Sequence, residues 1–180
     1  MKYILLFVLL FSLGLSSCSQ SNDPNYDEDY KAIEKAGIKE AVSLANEWHY
    51  SKPDIVSFIN SDEMVIVFPD GRKVTRSLPE DEMLVAIAPY INSTHECAVH
   101  YFSSCTGELK GRNFSVEVFD SDNNIVYDSI TKSMKNGFLE LWLPRGKEYE
   151  VMISHDGLSA QQDVSTYQGD NTCITTMRLE

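Results

Sequence analysis

Apolar and polar residues follow two different rhythms along this chain, and the change from one to the other organises it. Over residues 28–49 the apolar side chains Tyr30, Ile33, Ile38, Ala41, Val42, Ala45 and Trp48 recur every three to five positions, which predicts a helix with one apolar stripe. Gly37 is placed to kink it, and Pro53 stops any continuation. Three β-type runs follow at 55–59, 64–68 and 73–78, the last two joined by the turn signal Pro69-Asp70-Gly71. Residues 29–88 therefore read as a small helix-plus-hairpin α+β part.

An apolar run at 83–91, interrupted by Pro89, leads into a segment rich in His and Cys. Beyond it the rhythm is purely β, with alternation at 114–119, 138–143, 149–153 and 173–179. Turn signals stand at Asp122-Asn123-Asn124, Asn136-Gly137 and Asp156-Gly157. Short strands punctuated this often predict an antiparallel, sandwich-like domain over 89–180. The fold class is thus α+β overall: an amino-terminal α+β part followed by an all-β part.

The amino terminus changes where this protein is expected to reside. Lys2 precedes an apolar run over residues 3–15, too short for a spanning helix of about 20 residues and typical of an export signal. Leu15-Ser16-Ser17-Cys18 resembles a bacterial lipobox, so residues 1–17 are expected to be removed and Cys18 lipidated. Residues 18–28, polar and acidic, then form a tether from the lipid. The expected location is extracytoplasmic, with the membrane engaged only through that anchor. The formal charge of −12 argues against nucleic acid and against an anionic membrane surface as electrostatic partners, and suits a cation.

Three cysteines remain in the exported body, Cys97, Cys105 and Cys173, and their odd number leaves at least one thiol without a partner. Residues 95–105 gather His95, Cys97, His100 and Cys105, donors that suit copper(I), which prefers soft thiolates and accepts imidazole. Cys173 has to arrive from the last strand, and Met177 on the same strand is a further soft donor. A Cys97–Cys105 disulfide is the plain alternative, worth roughly 2.6 kcal/mol in the chain-entropy account, and leaves Cys173 as an ordinary buried thiol. Zinc is the rival metal, but the C-x7-C spacing departs from the tight pairs of structural zinc sites. His49, at a helix end, and His155, in a turn, read as bystanders. No nucleophile elbow, phosphate-binding glycine loop or H-E-x-x-H zinc motif occurs.

Several blocks, in order, resemble the CueP-type periplasmic copper-binding proteins. They are Leu78-Pro79-Glu80-Asp81, the stretch from Ile87-Ala88-Pro89-Tyr90 to Thr94-His95, Cys105-Thr106-Gly107-Glu108-Leu109, Asn136-Gly137-Phe138, Leu141-Trp142-Leu143-Pro144-Arg145 and Thr172-Cys173-Ile174-Thr175-Thr176. Glu96 stands where that family's pattern tends to have Pro. The resemblance implies a copper-binding protein associated with copper resistance or with handing copper to other exported proteins. It implies metal ligation by Cys97, Cys105 and Cys173 with His95 or His100 nearby, and an amino-terminal part that helps the protein dimerise. Three functions are therefore in view: a Cu(I)-sequestering or copper-delivering lipoprotein, a thiol-dependent Cu(II) reductase or disulfide-exchange protein partnered by a thiol oxidoreductase, and a disulfide-stapled sandwich that binds a partner without metal.

Overall fold

In a computed structural model, residues 25–180 are described; the expected export signal and the expected lipidation site, Cys18, lie outside them. No helix among the described residues is long and apolar enough to cross a membrane. The predicted single helix is two, α1 (Asp27–Lys35) and α2 (Ile38–Ser51), because Ala36 turns extended and Gly37 starts the second helix. The apolar stripe survives the break: Ile33, Ala41, Val42, Ala45 and Trp48 are all buried. Asp27, Glu28 and Asp29 occupy the first turn of α1, where their charge complements the unpaired N–H groups.

The strands β1 (Val56–Ile59), β2 (Glu63–Val67) and β3 (Lys73–Ser77) form a meander whose last two strands are the expected hairpin. The two-residue strand β5 (His100–Tyr101) extends it on the β1 side, placing His100 opposite Ile59 and Tyr101 opposite Phe58. The helices and this sheet share a core that includes Ile33, Trp48, Ile59, Met64, Phe68 and Phe102.

A second antiparallel sheet, in the order β10 (Leu158–Ser165), β9 (Glu148–His155), β6 (Asn113–Asp120), β7 (Ile125–Lys132), packs on a third. That third sheet has β4 (Glu82–Ile87) at its centre, with β8 (Leu139–Pro144) antiparallel on one side and β11 (Cys173–Ile174) parallel on the other. Val85, Ile87, Leu139, Leu141 and Leu143 face the sandwich core with Val116, Val118, Val151 and Ile153. Met83 and Leu84 join the helical core instead, so β4 is buried along nearly its whole length. Strands from either side of residue 88 thus share two sheets, since β5 pairs with β1, and β4 with β8 and β11.

The last predicted strand is shorter than its alternation implied. Only Cys173 and Ile174 pair with β4, at Ala86 and Ile87; the chain then runs beside the segment that follows β4, bridging Tyr90 to Arg178. Between the two large cores lies a small third one made by Ala86, Ala88, Cys105, Phe138 and Cys173, with Cys97 and Met134 packed against it. Every cysteine among the described residues belongs to this seam.

Candidate metal centre

Four segments meet at the seam, and local hydrogen bonding fixes each. The loop before β5 is clamped at its start by Glu108, whose carboxylate accepts the backbone N–H groups of Ile91, Asn92 and Ser93 and the Asn92 side-chain amide. Those contacts, the Asn92 side chain foremost, hold the Glu108 carboxyl down at about 2. Further along, the Ala98 carbonyl accepts the N–H groups of Thr172 and Cys173, tying the cysteine loop to β11. Thr172 is fully buried; its hydroxyl accepts the His100 N–H at 3.1 Å and donates to the Ile59 carbonyl at 2.6 Å. One threonine therefore joins β1, β5 and the carboxy-terminal segment.

Cys105 is brought back over β5 by a turn in which its N–H donates to the Tyr101 carbonyl at 2.9 Å. The segment 95–105 is consequently a loop with a two-residue strand and a tight turn, not a hairpin. Gly107 then passes against Gly137: a Cβ on Gly107 would lie 2.8 Å from the Gly137 carbonyl oxygen. Only glycines permit that approach, and the Gly107 N–H uses it to donate to the Asn136 carbonyl at 2.6 Å.

All five predicted donors converge. The ligand atoms of His95, Cys97 and Cys105 lie within 4.8 Å of one another, as do those of His100, Cys105 and Cys173, and Cys105 Sγ is common to both trios. The three cysteines are free thiols, with the Cys97 and Cys105 sulfurs 3.4 Å apart. A disulfide requires about 2.05 Å, so these sulfurs touch without being bonded. Burial deepens across the set: His95 is exposed, Cys97 half-buried, and Cys105, Cys173 and His100 are buried.

The electrostatics single out Cys105. Hydrogen bonding from Cys173 is the main reason its pKa falls to about 3; burial opposes this, and His100, the Tyr101 N–H at 3.3 Å and Cys97 add to it. The neighbours move the other way. Burial pushes the Cys97 thiol up to about 11, and Cys173 is raised by donating to Cys105 and by burial. At neutral pH the metal-free cluster therefore holds one thiolate, on Cys105, beside the thiols of Cys97 and Cys173. Burial disfavours charge on His100, but its contacts with Cys105 and Glu140 prevail and raise its pKa.

His100 is packed between Phe102 and Phe138, with ring centroids 4.9 and 4.5 Å away. Neither of its ring nitrogens makes a hydrogen bond, although Nε2 is 3.6 Å from Glu140 Oε1. A fully buried imidazole with both nitrogens unmatched is costly unless something binds it. A soft cation among these sulfurs would supply the missing partner, and the donor chemistry fits copper(I).

The remaining predicted residues fall elsewhere. Met177 is buried in the sandwich core among residues such as Val85 and Ile174, and the methionine packed on the thiol cluster is Met134. His49 directs Nδ1 at the Phe102 carbonyl at 2.5 Å, and His155 directs Nδ1 at the Asn113 carbonyl at 2.8 Å. Glu140 and Asn46 were not foreseen. The Asn46 amide donates to both Glu140 carboxylate oxygens at 2.9 and 3.0 Å, linking α2 to the imidazole.

This cluster can be set beside known proteins. The sequence profile described as "Periplasmic copper-binding protein CueP" matches residues 40–178, most of the chain and all of the cluster. The chain belongs to the CueP family. Among solved structures it is similar to the one titled "Crystal Structure of S.CueP", with 27% identity and a TM-score of 0.78 over 84% of this chain and 94% of that one. A comparison with curated proteins finds no match. The family is one of periplasmic copper-binding proteins, and this member carries a Cys/His cluster chemically suited to that metal.

Proposed function

We propose that this CueP-family protein is a lipid-anchored copper(I)-binding protein that uses the thiolates of Cys97, Cys105 and Cys173, assisted by His95 and His100. It sequesters the metal or passes it to another exported protein, and so contributes to copper resistance. The observation that carries this reading is the buried His100, with both ring nitrogens unmatched, in one trio with two thiols. The acidic balance of the chain favours a cationic cargo in addition.

When bound, copper would neutralise the sulfur charge and take the lone pairs of the imidazoles. The protein's part is to keep Cys105 ionised, to exclude water from Cys173 and His100, and to hold the four segments in place. Lipidation at Cys18 would confine delivery to partners at the same membrane. Residues 19–180, reduced and kept anaerobic, should take up about one Cu(I) per chain with protection of the three thiols. Equal binding by a variant with Cys97, Cys105 and Cys173 all changed to Ser would refute it.

The 3.4 Å sulfur contact favours a second reading, reduction of Cu(II). Two thiols would give one electron each to two Cu(II) ions, forming a Cys97–Cys105 disulfide, two Cu(I) and two protons. Repeated turnover with an added thiol reductant would establish an enzyme; one stoichiometric burst would mean that the electrons only prepare the cargo.

A further inference from the structure

The donor set is larger than a Cu(I) ion uses at one time, and it is arranged as two trios with one sulfur in common. Resting on the reading of the cluster as a Cu(I) site, we propose that copper occupies two overlapping positions, an outer one at His95, Cys97 and Cys105 and an inner one at His100, Cys105 and Cys173. The ion passes between them while keeping its bond to Cys105.

The outer trio has the character of a port. His95 is exposed, Cys97 is half-buried, and the segment that carries them is flanked by two surface clefts. One, of about 630 Å³, is lined by Tyr90, His95, Cys97, Cys173 and Thr175 among others; the second, of about 440 Å³, is lined by His95, Cys97, Tyr101 and Cys105 among others. A donor or acceptor of copper can reach this side directly. The inner trio has the character of a store: Cys173 and His100 are 1% and 0% exposed, and the imidazole sits against Phe102 and Phe138. Met134 packs against the same small core.

Movement inward breaks the bonds from copper to the His95 nitrogen and the Cys97 sulfur and forms bonds to the His100 nitrogen and the Cys173 sulfur. Cys97 is released as a thiol and Cys173 enters as a thiolate, so one proton is transferred between these sulfurs. Charge and oxidation state are unchanged. Because the Cys105 bond persists, the ion is never free, and each step exchanges ligands of the same kind.

The test is to trap each position and ask which histidine feels the metal. In Cys173→Ser the inner trio lacks a sulfur, and in Cys97→Ser the outer one does. With the reduced full-length body labelled with 15N-histidine and titrated with Cu(I) under anaerobic conditions, the ring resonances of His95 should shift in Cys173→Ser and those of His100 in Cys97→Ser. Serine is close to cysteine in size, and the spectrum of each metal-free variant reports whether the fold is kept; His95→Ala and His100→Ala, read by copper transfer to a chelating dye, provide the second measurement. His95→Ala should slow transfer by a larger factor than it weakens binding, and His100→Ala should weaken binding by the larger factor. The same histidine shifting in both serine variants, or equal loss of rate and affinity in both alanine variants, would overturn the two-position scheme in favour of one fixed site. Absence of Cu(I) binding by the unaltered protein would instead overturn the reading of the cluster itself.

Discussion

Copper(I) competes with protons for sulfur, so the protonation of each thiol in the metal-free protein sets what binding must displace. With its pKa lowered from an ordinary 9.0 to about 3, Cys105 is a thiolate at neutral pH. Its contribution to stability is fully present above pH 9, declines as pH falls, and is lost once pH passes below about 3. His100 works in the opposite sense: its pKa is raised, so its contribution is complete below about 6.5 and is lost as pH rises through the folded value. The ultraviolet thiolate absorbance of the reduced, copper-free protein should therefore correspond to one sulfur at pH 7, persist on acidification towards pH 3, and vanish in Cys105→Ser. No thiolate at pH 7 would contradict the arrangement. Glu140 is the second residue to test, because a carboxylate behind a ligating imidazole fixes its orientation and basicity. Glu140→Gln should weaken Cu(I) binding roughly tenfold in chelator competition with the fold intact. His95, Cys97, His100 and Cys105 were legible as a donor group from type and spacing and Cys173 through the family resemblance, whereas Glu140 was not. On a strand that reads Leu-Glu-Leu-Trp-Leu-Pro, a glutamate looks like the solvent side of an alternation, and only the docking of β5 and α2 brings His100 and Asn46 to it. Met177 misled for a related reason: the period of two continues past Ile174 in the sequence but not in the strand.

Short connecting elements, more than the strands, decide whether the donors meet. Glu108 holds the first residues of the cysteine loop, and with its carboxyl at about 2 against an ordinary 4.5 it keeps this grip at all but strongly acidic pH. Glu108→Ala should accelerate hydrogen exchange at the Ile91, Asn92 and Ser93 amides well before global unfolding and weaken copper binding, leaving the exchange of β6 and β9 unchanged. Loss of protection spread evenly over the molecule would mean that the clamp has no local role. Gly137 takes φ +88°, and a Cβ there would lie 2.6 Å from the Gly107 carbonyl oxygen. Gly137→Ala should cost about 1–3 kcal/mol in urea denaturation, from the positive φ and from separating the Cys105 segment from the turn before β8. At this scale the sequence revealed inward-facing strands well and edge strands poorly. β6, β8 and β9 bury alternate apolar residues, while β7 and β10 lie at the sheet edges with mostly exposed or half-buried side chains and carry no such signal. The break between α1 and α2 was hidden as well, since an unbroken apolar stripe is compatible with a bend or a full interruption at Gly37.

On the scale of the whole molecule, the cluster is where sequence-distant parts are joined. Cys97 and His100 approach from the loop and strand added to the amino-terminal sheet, Cys105 from the turn after it, and Cys173 from a strand paired in parallel with β4 near the end of the chain. The α+β class follows from the two hydrophobic rhythms. The parallel pairing does not, because register between segments nearly ninety positions apart leaves no local pattern in either. A ligand held by donors from all these segments binds the folded chain far better than the unfolded one, and it should stabilise global unfolding by RT ln(1 + [L]/Kd), about 4 kcal/mol when free ligand is a thousandfold above Kd. Denaturation of the reduced protein at increasing buffered Cu(I) should therefore show a midpoint that rises with the logarithm of free copper. The slope should match one ion per chain. In Cys105→Ser, which removes the sulfur common to both trios, the midpoint should be nearly independent of copper, because the remaining donors no longer close around an ion. If copper left the midpoint of the unaltered protein unchanged, it would be binding folded and unfolded chains alike, and the convergence of these segments would have no part in holding the metal.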